Sequence, residues 1–244
     1  MFQDIDGALQ GWDFKPGVVQ ARLVQRRDGR QVIQMRVDLG ILQMETTGRP
    51  DGSRPHGHTN YFDHLRHQAE VADAAGEPFV LSEEQSEEAD REFVQYYHRR
   101  ISWLALRNYS RAIGDADHTL AFMDFVRDHA PSEEYADAHE RYRGFVLFHR
   151  IQAAAAQAAE KGDAEAAIDA IRSGLESLRN FFANYDLEEK MEEDGMVQQL
   201  RKMEASLRKM HNIDTTLREQ LEAAVANEEY ETAAKLRDAL RKKQ

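Results

Sequence analysis

The chain has 244 residues and a formal net charge of −12, with 41% hydrophobic, 9% aromatic and 31% charged residues and no cysteine. That length gives room for two or three modules, each able to bury a core, and the balance is that of a soluble, helix-rich protein. No apolar run approaches the roughly 20 residues a bilayer needs, and the lack of cysteine excludes disulfides, thiolate catalysis and cysteine zinc sites; both fit a cytoplasmic location.

The opening "MFQDIDGALQGWDF" carries acidic residues and no basic n-region, so no signal peptide is expected. From Lys15 to His58 there are 8 Lys/Arg against 4 Asp/Glu, whereas the rest of the chain holds 24 against 40. Such a basic piece either meets an anionic partner, nucleic acid among them, or is attracted to its own acidic body.

Alternation in Val19, Ala21, Leu23 and in Ile33, Met35, Val37 predicts strands, and Asp28-Gly29 between the two runs is a hairpin signal. Three antiparallel strands follow, at about 18–26, 30–38 and 41–47, with the second turn at Asp38 to Gly40. Three strands need a cover. The spacing predicts a helix over 60–74, whose Tyr61, Leu65, Gln68 and Val71 or Ala72 form the covering stripe.

Between the strands and that helix lies "GRPDGSRPHGHTNYFDHLRHQ" (48–68), where reactive groups concentrate. His64 and His67 lie one turn apart and, with Asp51 or Asp63, could hold a metal, although Arg49, Arg54 and Arg66 oppose a cation. With Arg49 and Arg54 as donors, beside His56 and His58, the loop could instead take a phosphate or carboxylate. Either reading makes the protein a ligand- or metal-binding sensor or an enzyme, and a structural or partner-binding loop is the plainer reading. No cofactor is expected, since Walker, GxGxxG, GxSxG and DxDxDG motifs are all missing from the sequence.

Gly76 and Pro78 stop a helix, and Ser82 with Gln85 forms a capping box for the next. Beyond it the sequence is helical, with breaks at 106–109, 129–132, 160–163 and 227–230. After three of these breaks one spacing recurs: Tyr109-x-x-Ala112, Ala164-x-x-Ala167 and Tyr230-x-x-Ala233. An aromatic or small residue at the turn and an alanine one turn on let paired helices approach closely. The stretch 102–120, with Trp103, Leu106, Tyr109, Ala112 and Ala116, resembles a tetratricopeptide repeat, with Arg107 where that motif has glycine. The offsets between copies, 55 and 66 residues, are far from the family's 34, so tetratricopeptide-like hairpins with overlong first helices and a generic helical bundle are both open.

Farther on, Leu200, Leu207 and Leu221 share one heptad position and Met203, Met210, Leu217 and Ala224 the other, a coiled-coil seam that Asp214 interrupts. Either the helix breaks there with Asp214 as the next N-cap, which is the expectation, or Asp214 marks the register of a partner surface.

The stretch "LREQLEAAVANEEYETAAKLRDALRK" (217–242) resembles the UVR motif, a helical hairpin at the ends of the bacterial excision-repair subunits UvrB and UvrC. The matching residues are Leu217, Leu221, Ala224, Glu228, Tyr230, Glu231, Ala233, Ala234, Leu236, Arg237 and Asp238. The resemblance implies a helical hairpin that pairs with another such hairpin or with a partner's helices. Its contact residues are then Leu217, Leu221, Tyr230, Ala233, Leu236, Arg237 and Leu240. The helicase and nuclease motifs of those repair subunits are absent, as are the zinc-binding cysteines of the arginine-kinase activator that also carries the motif. "DLGILQMETTGRPDGSRPHG" is also similar to the amino-terminal region of uncharacterised bacterial proteins that end in this motif. The alternative is that the hairpin caps this chain's own helices.

The expected fold class is therefore α+β: a small antiparallel β-rich module with a covering helix over 1–75, a larger all-α region of helical hairpins over 82–190, and a long helix with the UVR hairpin over 191–244. The expected role is that of a non-enzymatic adaptor linked to DNA repair or stress response, binding a partner protein or a second copy and no membrane.

Overall fold

Residues 20–45 form the sheet. In the computed structural model, which describes residues 5–241, strands β1 (Gln20–Gln25), β2 (Gln31–Val37) and β3 (Gly40–Glu45) pair antiparallel in the order β1-β2-β3. The register sets Leu23 opposite Ile33 and Ile33 opposite Met44, so period-2 alternation gathers Ala21, Leu23, Ile33, Met35, Leu42 and Met44 on one face and leaves Val24, the buried Val32 and Ile41 on the other. The other face carries Arg22, Gln34 and Arg36. There the Arg22 guanidinium lies 4.0 Å over the Trp12 ring and donates to the Ala8 carbonyl, while Arg36 Nε donates to the Trp12 carbonyl. These arginines pin the segment with the short helix α1 (Asp6–Leu9) to the sheet.

Helix α2 (Tyr61–Ala74) begins at its Asn60 cap, as expected, but is not the cover of the sheet. Its buried residues, Tyr61, Phe62, His64 and Leu65, all lie in its first turns, and Val71 of the expected stripe is 57% exposed. Tyr61, Phe62 and Leu65 join Leu81, Ala89, Phe122 and Val126 in a helical core. Helix α3 (Glu83–Ala105) packs against β1 and β2 instead. At 23 residues it is long enough to share its faces between sheet and helices. The Ser82–Gln85 capping box that starts it is formed on both sides.

The helices then run α4 (Tyr109–His129), α5 (Glu133–Glu140), α6 (Arg143–Glu160), α7 (Ala164–Ala183), α8 (Gly195–His211), α9 (Leu217–Ala226) and α10 (Tyr230–Arg241). All four expected breaks occur. Two more, at 141–142 and around the 3-10 turn Glu188–Glu193, carry no glycine or proline to announce them. The chain divides into two compact units between His149 and Arg150, within α6, whereas the sequence places its boundaries near 75–82 and at 190.

The recurring spacing corresponds to one turn geometry. Arg107, Gly162 and Glu228, each two residues before the next helix, are left-handed at φ 57, 80 and 59°. In each turn the amide that follows donates back five residues: Asn108 to the Trp103 carbonyl, Asp163 to Ala158 and Glu229 to Ala224. This is the Schellman closure of a helix C-terminus, and Ala112, Ala167 and Ala233 are buried just beyond it. A bundle and a tetratricopeptide array would both use it.

In the second unit the apolar face of α7, with Ile168, Ile171, Leu175 and Leu178 buried, packs on α8, which buries Val197 and Leu200. Gly174 lets α7 approach α6 closely, since a Cβ at that position would stand 2.2 Å from Ile151 of α6. The heptad seam does not run on: α8 ends at His211, Asn212 is left-handed, and Met210 is 73% exposed. Asp214 is not the next cap. Thr216 takes that place, because its hydroxyl accepts from Glu219 N while the Glu219 carboxylate accepts from Thr216 N, a reciprocal box that Asp214 has no partner to form.

Candidate partner-binding hairpin and histidine-arginine loop

Helices α9 and α10 fold back on each other around the 227–229 turn, with Ala224 and Ala233 buried where they pack. Among the expected contact residues, Leu217, Leu221, Leu236 and Leu240 are half-buried. Arg237 is exposed and paired with the adjacent Asp238. Tyr230 is 69% exposed, in a stretch that also holds Glu228, Glu229 and Glu231, and Val225 at the end of α9 is 54% exposed. Both side chains, at the acidic end of the hairpin, are apolar area that the described residues leave in water.

The opposite end of the hairpin is held. Thr216 is wholly buried and its hydroxyl donates to Asp169 of α7 at 2.8 Å. Burial pushes the Asp169 carboxyl above the usual range. Arg172 of α7 reaches Glu219 at 3.4 Å and Glu222 at 3.2 Å, one turn apart on α9. Arg208, from the last turn of α8, forks onto Glu219 and donates to the Asp214 carbonyl.

In the first unit, the loop from Gly48 to Asn60 is built into the core by charge. Arg49 is 3% exposed and lies among Glu88, Glu92 at 3.4 Å and Asp51 at 3.5 Å. Its Nε and Nη2 meet these carboxylates as charge contacts and not as aligned hydrogen bonds. Glu92, fully buried, accepts from the Tyr61 and Phe62 amides at 2.6 and 3.1 Å, a carboxylate placed on the positive end of α2. Arg99 grips Asp115 with two nitrogens and donates its third to the Gly48 and Glu45 carbonyls. Arg49 is thus committed to internal carboxylates, and the exposed Arg54 shares a cleft with Glu84, Glu87 and Glu88. Arg26 and Arg30 of the basic segment are likewise paired, with Glu45 and Asp28.

The four histidines of this region come together. His56 stacks on His64 with ring centres 4.0 Å apart, and His58 lies 5.4 and 5.5 Å from His64 and His67. Burial, then the neighbouring imidazoles, hold His64 below the usual histidine range, and its Nδ1 is buried without a hydrogen bond. Among the described residues no group of three His, Asp or Glu side chains is arranged to hold a metal ion. Of the remaining helix histidines, His211 at the end of α8 is exposed, whereas His118 stacks on Tyr96 at 3.8 Å and reaches Glu92, and His139 meets Asp90. His149 sits against the buried Arg100, and burial together with that charge lowers it to about 4.

Sequence reasoning missed Glu92, Arg99, Arg100 and Asp115 as organisers of the core. One signal was there: Ala89, Tyr96 and Trp103 repeat every seven residues along α3, and Glu92 and Arg99 fall inside that stripe. A charge in a buried stripe needs a partner.

Residues 215–244 match the family model described as the UvrB/uvrC motif. No curated protein and no solved structure matches the chain. The match begins one residue before the Thr216 cap, so the motif and the α9–α10 hairpin coincide, with residues 242–244 outside the described part.

Proposed function

We propose that this protein is a non-enzymatic adaptor that binds a partner protein, or a second copy of itself, through its UVR hairpin. The observation that carries the reading is the hairpin's division of labour: the Thr216 end is fixed by named contacts while Val225 and Tyr230 at the other end stay exposed. A 26-residue hairpin cannot bury both of its faces by itself, and the motif match supports a role in association. Work in the cytoplasm, in DNA repair or stress response, is part of the same proposal. It rests on the company the motif keeps in other proteins, and the absence of cysteine agrees with it.

Deleting residues 214–244 should leave the helical content of the remaining chain in place and abolish association. Light scattering and a pull-down against the full chain read the result. Tyr230→Asp should act in the same direction, by placing a charge where a partner would bury the ring. An unchanged mass together with unchanged partners in both variants would refute the adaptor.

A further inference from the structure

The hairpin joins α8 through a segment made for turning. Helix α8 ends at His211, Asn212 takes left-handed angles (φ 52, ψ 45°), and α9 begins only at Leu217. Across from that segment, side chains and not packed backbone hold α9 to α7: the Thr216–Asp169 hydrogen bond and the bridge of Arg172 to Glu219 and Glu222. Arg172 is a third exposed and Glu222 more than half, so water and salt reach the bridge. A cleft of about 530 Å³ lies beside it, lined by Arg172, Glu176, Arg201, Glu204 and Glu222, so α9 is not sealed onto its neighbours.

We infer that the hairpin is an arm hinged at residues 212–215 and held shut by an ion-pair latch, with Arg172 of α7 as the catch and Glu219 and Glu222 of α9 as the strikes. The inference rests on the reading of the hairpin as the binding element and adds its regulation: a closed state at low ionic strength and an open one when the bridge is screened or displaced. Glu219 also caps α9, which keeps the start of the helix formed, and its pair with Arg208 of α8 spans the hinge as a further tie that opening has to break. Glu222 has no such second duty and is the residue to exchange.

The chain has no cysteine, so two can be introduced for spin labels in the full-length protein, at Ser177→Cys on α7 and Thr232→Cys on α10, both exposed positions. One narrow distance distribution is expected at low ionic strength, broadening in about 0.5 M salt, where screening acts over only a few ångströms. Arg172→Glu should broaden it at low salt, and Arg172→Glu with Glu222→Arg should restore it. The latch is refuted if Arg172→Glu leaves the distribution unchanged, or if the charge exchange does not restore it. No binding partner enters this measurement, so an arm that opens but captures nothing supports the latch while counting against the adaptor.

Discussion

The two units use charge in opposite ways. In the first, Arg49, Glu92, Arg99, Arg100 and Asp115 are at least nine-tenths buried and tie a loop, two helices and the N-terminus of α2 together. In the second, Arg172 and Arg201 pair with Glu222 and Glu192 at the surface, and only the Arg208–Glu219 pair is part-buried among the three. Buried charges are costly to leave alone and so fix one arrangement, whereas exposed pairs contribute little and can be exchanged. Charge therefore makes the first unit rigid and leaves the terminal hairpin adjustable.

Four experiments would break or sharpen this contrast. The largest effect is expected from Glu92→Ala. It strips the α2 amides of their acceptor and takes a carboxylate from Arg49, for a loss of about 3 to 5 kcal/mol in thermal or urea unfolding. A loss no larger than that of Arg172→Ala, about 0 to 1 kcal/mol for a surface pair, would erase the distinction.

Acid should come next. His149 is lowered to about 4 by burial and the Arg100 charge, and His64 and His98 are lowered as well, mainly by burial. A lowered histidine takes up its proton more readily in the unfolded chain. Stability therefore holds above the ordinary histidine value near 6.5 and falls as pH drops from there toward 4, by up to about 3 kcal/mol for His149. Unfolding followed from pH 7 to 4 should show that slope, and His149→Gln should flatten it; an unaltered slope would mean that His149 is not its source.

Gly174→Ala tests packing in the second unit. A methyl placed 2.2 Å from the Ile151 side chain must displace it, at about 1 to 3 kcal/mol, read by thermal unfolding. The smallest effect is a gain: Glu228→Gly removes a side chain from a left-handed position and should stabilise the hairpin by about 1 kcal/mol, seen as added helix protection in hydrogen exchange. A loss there would mean that the Glu228 side chain has a stabilising contact of its own.

Much of this was legible along the chain. Asp28-Gly29 marked the first β-turn, Ser82 and Gln85 the start of α3, and the Tyr109, Ala164 and Tyr230 spacing three of the Schellman turns, because each is a contact between residues a few positions apart. The cover of the sheet was misplaced because α2 and α3 are both amphipathic, and only packing decides which stripe meets the strands. Aspartate suits a cap position, so Asp214 is a reasonable expectation, but the cap is Thr216, whose partner three residues on, Glu219, completes the capping box. The four imidazoles of 56–67 could be counted in the sequence, but their stacking depends on the path of the loop, which Glu88, Glu92 and Arg99 of α3 hold through Arg49 and the Gly48 carbonyl.

The sequence by itself determined the α+β class, the three-stranded sheet, four of the helical breaks and the identity of the terminal hairpin, all of which follow from local periodicity, turn chemistry and a short motif. Tertiary structure alone decided which helix covers the sheet, where the buried charges pair, and that Tyr230 stands in water while Thr216 is buried. Those outcomes depend on groups that meet across tens of residues, and burial, which sets whether a charge or a ring is stabilising or costly, exists only once the chain has folded around it.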